Sequence, residues 1–373
     1  MEHLTVMIKP ASSLCNMRCS YCFYCDVAEN RDTRSYGMMA EVTAVNIIEK
    51  AFEAAARSVS FIFQGGEPTL AGLDFFRFFN GKVKELNKNK LKVFYSIQTN
   101  GLDISEDFAK FFADNSFLVG LSMDGHRELH DFFRIDAGGY PTHSKVLKTA
   151  KLFDRYKVEY NILSVITAQT AKHIEKIYGF FKTGGFKYLQ FIPCLAPLGS
   201  EPFVLPQALT PALYEEFLTR LFKLYYNDFM AGNYISIRFF DNLVNIAAGQ
   251  PAEQCGTLGY CPGQLVIEGD GSVYPCDFYC VDYWRLGNIN EMSIDELGKT
   301  DKMKAFCMTS IYDADKCREC NVYNLCRGGC RRDRDLSIAG AAGENIYCEA
   351  LYNFYTYTKP YLTQMVKRLQ TKG

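Results

Sequence analysis

Three cysteines near the start of the chain, Cys15, Cys19 and Cys22, constrain it more than any other feature. Thiolates at this spacing in one short loop can converge on a single soft metal centre. A structural zinc site and a closed iron–sulfur cluster each take four protein ligands. Three ligands therefore predict a cluster with one open iron, unless Cys25 supplies the fourth thiolate and closes it.

A larger cysteine group lies in the last third of the chain. Eight of its members have ligand-like spacing: Cys255, Cys261, Cys276, Cys317, Cys320, Cys326, Cys330 and Cys348. Eight thiols divide into two sets of four, and such sets suit either zinc or cubane iron–sulfur clusters. The spacing leaves both metals open. The N-terminal trio favours iron–sulfur clusters here too, because a chain that assembles one cluster is better suited to carry others.

The cysteine count also bears on the compartment. The chain has fifteen cysteines, and residues 1–10 have neither the basic start nor the apolar run of a signal peptide. We expect a cytoplasmic protein without membrane spans, whose thiols serve metal or redox chemistry rather than disulfides. Cys194 and Cys307 fit small buried hydrophobes, and Cys280 fits either role. A net charge of −1 argues against nucleic-acid or membrane partners.

Apolar runs of strand length alternate with helical periodicity through the first half of the chain. The expected strands are residues 4–8, 59–63, 92–98, 117–122, 160–167 and 188–192. Six strand-to-helix units predict an α/β fold with parallel strands and helical crossovers. Because a closed barrel takes eight units, we expect an open, partial (βα)6 barrel of the TIM type, with its site at the C-terminal ends of the strands.

A chain of 373 residues is long enough for two domains. We place the barrel in residues 1–240 and a small cysteine-rich domain in residues 241–373. The patterns predict a long helix at 211–231, a short strand at 235–239 and a hairpin around Gly269-Asp270-Gly271. After residue 245 or so, helical periodicity is weak until a final helix at 345–367.

The motifs and their context resemble a known family. The C-x3-C-x2-C loop after the first strand, and Gly-Gly-Glu-Pro at 65–68 after the second, resemble the signature of radical S-adenosylmethionine enzymes. The later cysteines resemble the SPASM extension. Within that group, the chain resembles the anaerobic sulfatase-maturating enzymes at residues 8–13, 63–72, 120–125, 272–279 and 284–289, and the likeness runs over nearly the whole chain.

This resemblance implies a [4Fe–4S] cluster on Cys15, Cys19 and Cys22, whose open iron binds the amino and carboxylate groups of S-adenosylmethionine. Ser122 and Arg134 are implied partners of its polar groups, and an arginine fork suits a carboxylate. The full set of implied cofactor contacts is Tyr21, Gly65, Gly66, Glu67, Ser122, Arg134 and Leu195.

The resemblance also divides the eight later cysteines between two auxiliary [4Fe–4S] clusters, which makes three clusters in all. One set is Cys255, Cys261, Cys276 and Cys330. The other is Cys317, Cys320, Cys326 and Cys348. Four protein ligands on each cluster leave no open iron, so these clusters are expected to move electrons rather than bind substrate.

The implied reaction is oxidation of a cysteine or serine in a sulfatase to Cα-formylglycine by a 5′-deoxyadenosyl radical, which activates the sulfatase. Asp277 matches the family's base, and Tyr24 and Gln64 match positions that face the substrate. The implied partners are a sulfatase polypeptide bearing a Cys/Ser-x-Pro/Ala-x-Arg motif and an electron donor such as flavodoxin or ferredoxin.

Two alternatives remain from the sequence. A radical maturase that forms a thioether, epimer or crosslink in a ribosomal peptide would share every cluster, so the cysteines cannot separate it. Asp277 in its Tyr-Pro-Cys-Asp-Phe-Tyr context favours the sulfatase enzyme, as does the lack of an obvious leader-binding domain. A zinc-stapled binding protein would explain neither the cysteine trio nor the strand-end glycines.

Overall fold

The computed structural model describes residues 1–371, which form two compact units. The first unit comprises residues 1–122, 131–160 and 263–306, and the second comprises 123–130, 161–262 and the chain from 307 onward. Each unit is thus assembled from separated segments, and the domain boundary at residue 240 stays a prediction. Among residues 1–371, no helix has both the length and the apolar character needed to cross a membrane.

The strands and α-helices alternate from the N-terminus, as the periodicity predicted. In chain order they are β1 (His3–Ile8), α1 (Phe23–Glu29), α2 (Glu41–Ala54), β2 (Ser58–Phe63), α3 (Leu73–Leu86), β3 (Lys92–Thr99), α4 (Glu106–Asp114), β4 (Phe117–Ser122), α5 (Arg127–Phe133), α6 (His143–Tyr156), β5 (Glu159–Ile166), α7 (Ala168–Lys172), α8 (Ile174–Thr183), β6 (Tyr188–Pro193), α9 (Pro211–Ala231), β7 (Ser236–Ile237), α10 (Arg238–Ala247), β8 (Val266–Ile267), β9 (Ser272–Tyr274), β10 (Gly287–Asn288), α11 (Ile294–Lys299), α12 (Asp301–Met308), α13 (Asp315–Arg318), α14 (Tyr323–Cys326) and α15 (Cys348–Gln370).

In the first unit, hydrogen-bonded neighbours follow the order β10-β9-β8-β1-β2-β3-β4. The strands β1 to β4 are parallel, and β8 extends them in parallel beside β1. The hairpin predicted around residues 269–271 is present, since β8 and β9 pair antiparallel. In the second unit, β5, β6 and β7 pair in parallel. The predicted α/β fold with mainly parallel strands is confirmed.

Aromatic packing fixes the end of β2, where a glycine-rich turn begins. Phe61 and Phe63 are fully buried, and each meets the ring of Phe79 edge-on with centroids 5.1 Å apart. Each such pair contributes about 0.5–1.5 kcal/mol beyond the area it buries. The rigid strand end therefore holds residues 64–67 in a fixed place.

The later chain contains more helix than its sequence pattern indicated. The strand expected at 235–239 is only Ser236–Ile237, and α10 starts at Arg238 because Phe240 packs against Phe222 and Phe354. The stretch with weak helical periodicity contains the short helices α11, α12, α13 and α14. A Ser-x-x-Glu capping box at Ser293 and Glu296 marks the start of α11 and was a usable sequence signal.

Candidate active site

The cysteine loop, residues 15–22, is held by backbone hydrogen bonds of the first unit. Arg18 N donates to Ile135 O at 2.8 Å, and Ser20 N donates to Phe133 O at 3.1 Å. Burial raises the pKa of Cys15 to about 12, and the nearby Cys19 and Cys22 add to this rise. The three thiols therefore lie close enough to repel one another as thiolates, which fits a shared metal cluster.

The Gly-Gly-Glu-Pro turn packs directly against residues 9–14, which lead into this loop. Gly66 N donates to Ser12 O and Glu67 N donates to Leu14 O, both at 2.8 Å. Gly65 has φ +116°, and a Cβ there would lie 2.7 Å from Ser12 O, while a Cβ on Gly66 would collide with Leu14 O. Both glycines are therefore required by the close approach of the backbone at residues 12–14, independently of any cofactor.

Glu67 organises the same turn from inside the protein. It is 1% exposed, and its carboxylate accepts hydrogen bonds from Thr69 N, Thr69 Oγ1, Thr99 Oγ1 and Asn100 N at 2.7–3.1 Å. Burial raises the pKa of Glu67, although these donors oppose the rise. The protein alone accounts for this carboxylate, so its contact with the cofactor stays a prediction.

Of the other residues expected to bind the cofactor, two are in contact. Arg134 Nη1 donates to Tyr21 Oη at 3.0 Å, and both residues belong to the first unit. Ser122 is the buried last residue of β4, at the strand end where sites form. Leu195 belongs to the second unit, two residues after β6, and is half-buried.

The three residues expected at the substrate and catalytic positions meet in the first unit. Tyr24 Oη donates to Asp277 Oδ2 at 2.7 Å and lies 3.0 Å from Gln64 Oε1. Tyr24 is in α1, Gln64 directly follows β2, and Asp277 opens a short 3₁₀ helix after Cys276. Sequence reasoning therefore selected three residues that converge from distant parts of the chain.

Three charged residues beside them were missed. Lys9 Nζ lies 3.0 Å from Asp277 Oδ1 and 3.6 Å from Glu268 Oε1, and Arg31 Nη1 pairs with that Glu268 oxygen at 2.7 Å. These three side chains and that of Asp277 are all buried. Lys9 lies in the stretch 8–13 that resembles the family, but no role was predicted for its charge. A lysine directly after a buried apolar run was the signal, since a buried ammonium requires a partner.

These charges set one another's ionisation. Burial alone would lower the pKa of Lys9, but Asp277, Cys280 and Glu268 raise it above its ordinary value. Burial opposes ionisation of Glu268, yet Lys9 and Arg31 lower its pKa overall. Burial raises the pKa of Cys280 to about 12, and its sulfur accepts a hydrogen bond from Lys9 at 3.2 Å. Cys280 is therefore part of this polar cluster.

Cys25 lies against the cysteine loop rather than away from it. The residue is exposed in α1, and its thiol is hydrogen-bonded to Cys22. This contact lowers the pKa of Cys25 to about 7 and raises that of Cys22. Cys25 is therefore next to a predicted ligand of the first cluster, and its replacement tests whether it supplies a fourth thiolate.

Four of the later cysteines line one cavity in the second unit. The cavity has a volume of about 390 Å³, and Cys317, Cys320, Cys326 and Cys348 all contribute to its wall. Burial raises the pKa of Cys326 to about 11, with the other three thiols adding to the rise. A thiol-lined cavity of this size fits a cubane cluster with four protein ligands.

The other predicted set of four is divided between the units. Burial raises the pKa of Cys330, and the nearby Cys255 and Cys261 contribute, so these three lie together in the second unit. Cys276 belongs to the first unit, and its place in this set stays a prediction. Among residues 1–371, no three His, Cys, Asp or Glu side chains are placed to hold a single metal ion.

The remaining thiols differ in environment. Cys194 is buried, as predicted for a small hydrophobe, whereas Cys307 is half-buried. Neither lies in a group of metal-ligating side chains in the described part of the chain.

Two family models match the chain. That of the Radical SAM superfamily matches residues 10–181, and that of the SPASM iron–sulfur cluster-binding domain matches residues 260–321. The second match overlaps the segment with the later cysteines, and the first contains the cysteine loop and the Gly-Gly-Glu-Pro turn.

Relatives resemble the chain over nearly its full length. A cysteine-type anaerobic sulfatase-maturating enzyme from Clostridium novyi is 46% identical over 99% of both chains. A serine-type enzyme from Bacteroides thetaiotaomicron is 29% identical over 99% of this chain and 92% of its own. The solved structure of anSMEcpe with bound AdoMet and Cp18Cys peptide has a TM-score of 0.94 and 45% identity, covering 98% of this chain and 99% of its own.

Proposed function

The chain belongs to the radical SAM superfamily, within its anaerobic sulfatase-maturating enzymes, and we propose that the residue it oxidises is a cysteine. The enzyme converts a residue of a sulfatase polypeptide to Cα-formylglycine and uses [4Fe–4S] clusters, three in number, and S-adenosylmethionine. The relatives support cysteine, with 46% identity to a cysteine-type enzyme against 29% to a serine-type one. The alternative of a peptide thioether, epimer or crosslink maturase is not favoured.

The observation that carries the catalytic part of the proposal is the meeting of Tyr24, Gln64 and Asp277. A carboxylate and two groups capable of orienting a substrate lie together, and Tyr24 is two residues from Cys22. When bound, S-adenosylmethionine and its cluster would supply the radical chemistry that takes a hydrogen atom from the substrate Cβ, and an auxiliary cluster would take the remaining electron. Asp277 then accepts the proton of the substrate thiol, as a general base must do from hydrogen-bonding distance.

The residues that hold the cofactor follow from the same proposal. Arg134 has a guanidinium that can bind two carboxylate oxygens, and its bond to Tyr21 fixes that fork beside an aromatic ring. Ser122 offers a hydroxyl at a strand end, and Leu195 an apolar side chain for the adenosine. Gly65, Gly66 and Glu67 contribute by fixing the turn that supports the cysteine loop.

We assign the cluster ligands as the family pattern divides them. Cys15, Cys19 and Cys22 hold the cluster with the open iron. The four thiols of the cavity, Cys317, Cys320, Cys326 and Cys348, hold one auxiliary cluster. The ligands assigned to the other are Cys255, Cys261, Cys276 and Cys330. Of the two auxiliary clusters, the thiol-lined cavity most directly supports the one assigned to residues 317–348.

The proposal extends to partners and compartment. We infer that the substrate segment carries a Cys-x-Pro/Ala-x-Arg motif and that a small electron carrier such as flavodoxin or ferredoxin delivers the first electron. We also infer a cytoplasmic location, because cluster assembly on this many cysteines requires reduced thiols.

A direct test is anaerobic incubation of the reduced, reconstituted enzyme with S-adenosylmethionine and a Cys-x-Pro-x-Arg peptide, followed by mass spectrometry. We expect the mass loss of cysteine-to-aldehyde conversion and a slower reaction of the matching serine peptide. A serine peptide that reacts faster contradicts the cysteine preference. Failure of both peptides contradicts the sulfatase assignment.

The role of Asp277 is tested with Asp277→Asn in the same assay. We expect formylglycine to fall by about 10²–10⁴-fold, because a general base contributes about that much. Formation of 5′-deoxyadenosine should persist. Asp282→Asn is the matched control, since that carboxylate accepts a hydrogen bond from Asp32 N in the same unit but outside this cluster. Unchanged formylglycine in Asp277→Asn contradicts the assignment.

A further inference from the structure

The two oxygens of the Asp277 carboxylate have different partners. Oδ1 lies 3.0 Å from Lys9 Nζ, and Oδ2 accepts a hydrogen bond from the Tyr24 hydroxyl at 2.7 Å. The Tyr24 hydroxyl has a second acceptor at hand, because Gln64 Oε1 is 3.0 Å away. A single proton can turn from one acceptor to the other, so the partner of Oδ2 is exchangeable.

The partner of Oδ1 is fixed. Lys9 is 1% exposed, and its ammonium donates to Cys280 Sγ at 3.2 Å and lies 3.6 Å from Glu268 Oε1. The contact with Cys280 is a hydrogen bond, and the carboxylates of Asp277 and Glu268 pair with the ammonium by charge. Arg31 anchors Glu268 in turn, at 2.7 Å. Lys9 also lies 4.8 Å from the centre of the Tyr24 ring, which limits its movement on a further side.

The chain Arg31–Glu268–Lys9–Asp277 thus alternates in charge across a buried region. Two cations and two carboxylates balance, and every link between them is 3.6 Å or shorter. A buried ion pair is costly to desolvate, and an apolar arrangement is often as stable. A charged chain that ends on the candidate base is therefore better explained by what it does for that carboxylate than by stability alone.

We propose that Lys9 is a positioning residue for the reaction: it binds Oδ1 of Asp277 permanently, so that Oδ2 is the oxygen presented to the substrate when Tyr24 turns to Gln64. This deepens and rests on the proposed function. Glu268 and Arg31 act one step further out, by holding Lys9. The substrate's proton is transferred to Oδ2, one electron would pass to an auxiliary cluster, and water hydrolyses the resulting thioaldehyde to the aldehyde with loss of sulfide. The proposal therefore adds no further reactant.

The test separates positioning from stability by measuring two products. Lys9→Met keeps most of the side-chain length but removes the charge, and Lys50→Met is the control. Lys50 also donates two hydrogen bonds, to Ile289 O and Met292 O, but outside this cluster. For each variant we would measure formylglycine, 5′-deoxyadenosine, the KM of the cysteine peptide, the iron content and the unfolding temperature.

For Lys9→Met we expect the kcat for formylglycine to fall by about 10²-fold, because a small misplacement of a catalytic group costs about this much. 5′-Deoxyadenosine formation and the peptide KM should stay within about twofold, since the cysteine loop is untouched. The ratio of 5′-deoxyadenosine to formylglycine therefore rises steeply. Lys50→Met should leave this ratio unchanged.

A proportional fall of both products in Lys9→Met, or no fall in either, overturns the proposal. If Asp277 and Glu268, left without the lysine, prevent folding, Lys9→Met combined with Glu268→Gln restores the charge balance. The ratio of 5′-deoxyadenosine to formylglycine is then measured in that double variant. A charge-balanced variant that also fails to fold shows that Lys9 serves stability, which overturns the proposal too.

The parent enzyme is the reference: if it makes no formylglycine, the proposed function fails, whereas an unchanged ratio in the variants refutes only the role of Lys9.

Discussion

The two main groups of cysteines are built on different kinds of scaffold. The loop at 15–22 is tied by backbone hydrogen bonds to residues 133 and 135, and the turn at 65–67 is bonded to residues 12 and 14 just before it. By contrast, the thiols at 317–348 line a cavity formed by the short helices α13 and α14 and by the start of the long helix α15. The helix α13 buries no residue and α14 buries only Leu325. The protein itself fixes the first group, whereas the second depends on what fills its cavity.

This difference matches the chemistry expected of each group. A cluster that must leave one iron open needs a loop whose shape does not depend on a fourth protein ligand. A closed four-thiolate cluster can act as the core of a segment with little apolar surface, because metal binding there supplies folding free energy. The contrast therefore predicts that loss of one ligand has opposite consequences in the two groups.

The largest expected effect is on radical formation. Cys19→Ala should abolish 5′-deoxyadenosine production, because two thiolates do not hold the cluster that binds S-adenosylmethionine. The fold should be retained, since Arg18 N and Ser20 N on either side keep their backbone partners. The checks are product analysis and hydrogen exchange at residues 16–20. Wholesale loss of protection there would show that the metal, and not the protein, shapes the loop.

Cys348→Ala tests the other side of the contrast. We expect the cavity segment to lose more than about 4 kcal/mol of local stability, the range typical of losing a metal site. Hydrogen exchange over residues 312–349 of the reconstituted enzyme measures it. Cys307→Ala is the matched control, because this half-buried thiol is outside the ligand set; it should change local stability by no more than about 1 kcal/mol. Equal effects of the two substitutions would break the contrast.

Glu67→Gln probes how firmly the protein holds the first group. The amide replaces an acceptor oxygen with a donor that faces Thr69, Thr99 or Asn100, so a buried group loses its partner. The expected cost is about 1–3 kcal/mol of unfolding free energy, measured in urea. The exposed Glu85 gives the control Glu85→Gln, which should stay within about 0.5 kcal/mol. A loss no larger than this control would mean that Glu67 does not stabilise the loop.

Local patterns predicted the elements well where one period dominates. The strand Phe117–Ser122 and the helix Pro211–Ala231 have the predicted bounds. The run at 235–239 was too short to distinguish a strand from a helix, and its aromatic side chains are used in helix packing. Periodicity cannot report such distant packing partners.

The candidate site shows the same limit. Asp277, Tyr24 and Gln64 were found through a resemblance that spans the chain, and the structure brings them into contact. Lys9 was missed because its partners Glu268 and Asp277 are at the far end of the sequence, and no local spacing encodes an ion pair of that kind. The role first given to Gly65 and Gly66, approach to the cofactor, also left out their contact with the segment 9–14 that leads into the cysteine loop.

The smallest expected effect decides how many thiols the first cluster uses. Cys25 lies beside the loop, where its backbone N donates to Cys22 O at 3.2 Å, so its thiol is a candidate fourth ligand. Because an open iron is required to bind S-adenosylmethionine, we expect Cys25→Ala to keep its iron and to form 5′-deoxyadenosine within about twofold of the parent rate. A closing ligand would behave differently: its removal would cost the cluster, as with Cys19→Ala. Iron content and visible absorbance, compared between these two variants, discriminate a three-thiol loop from a four-thiol one.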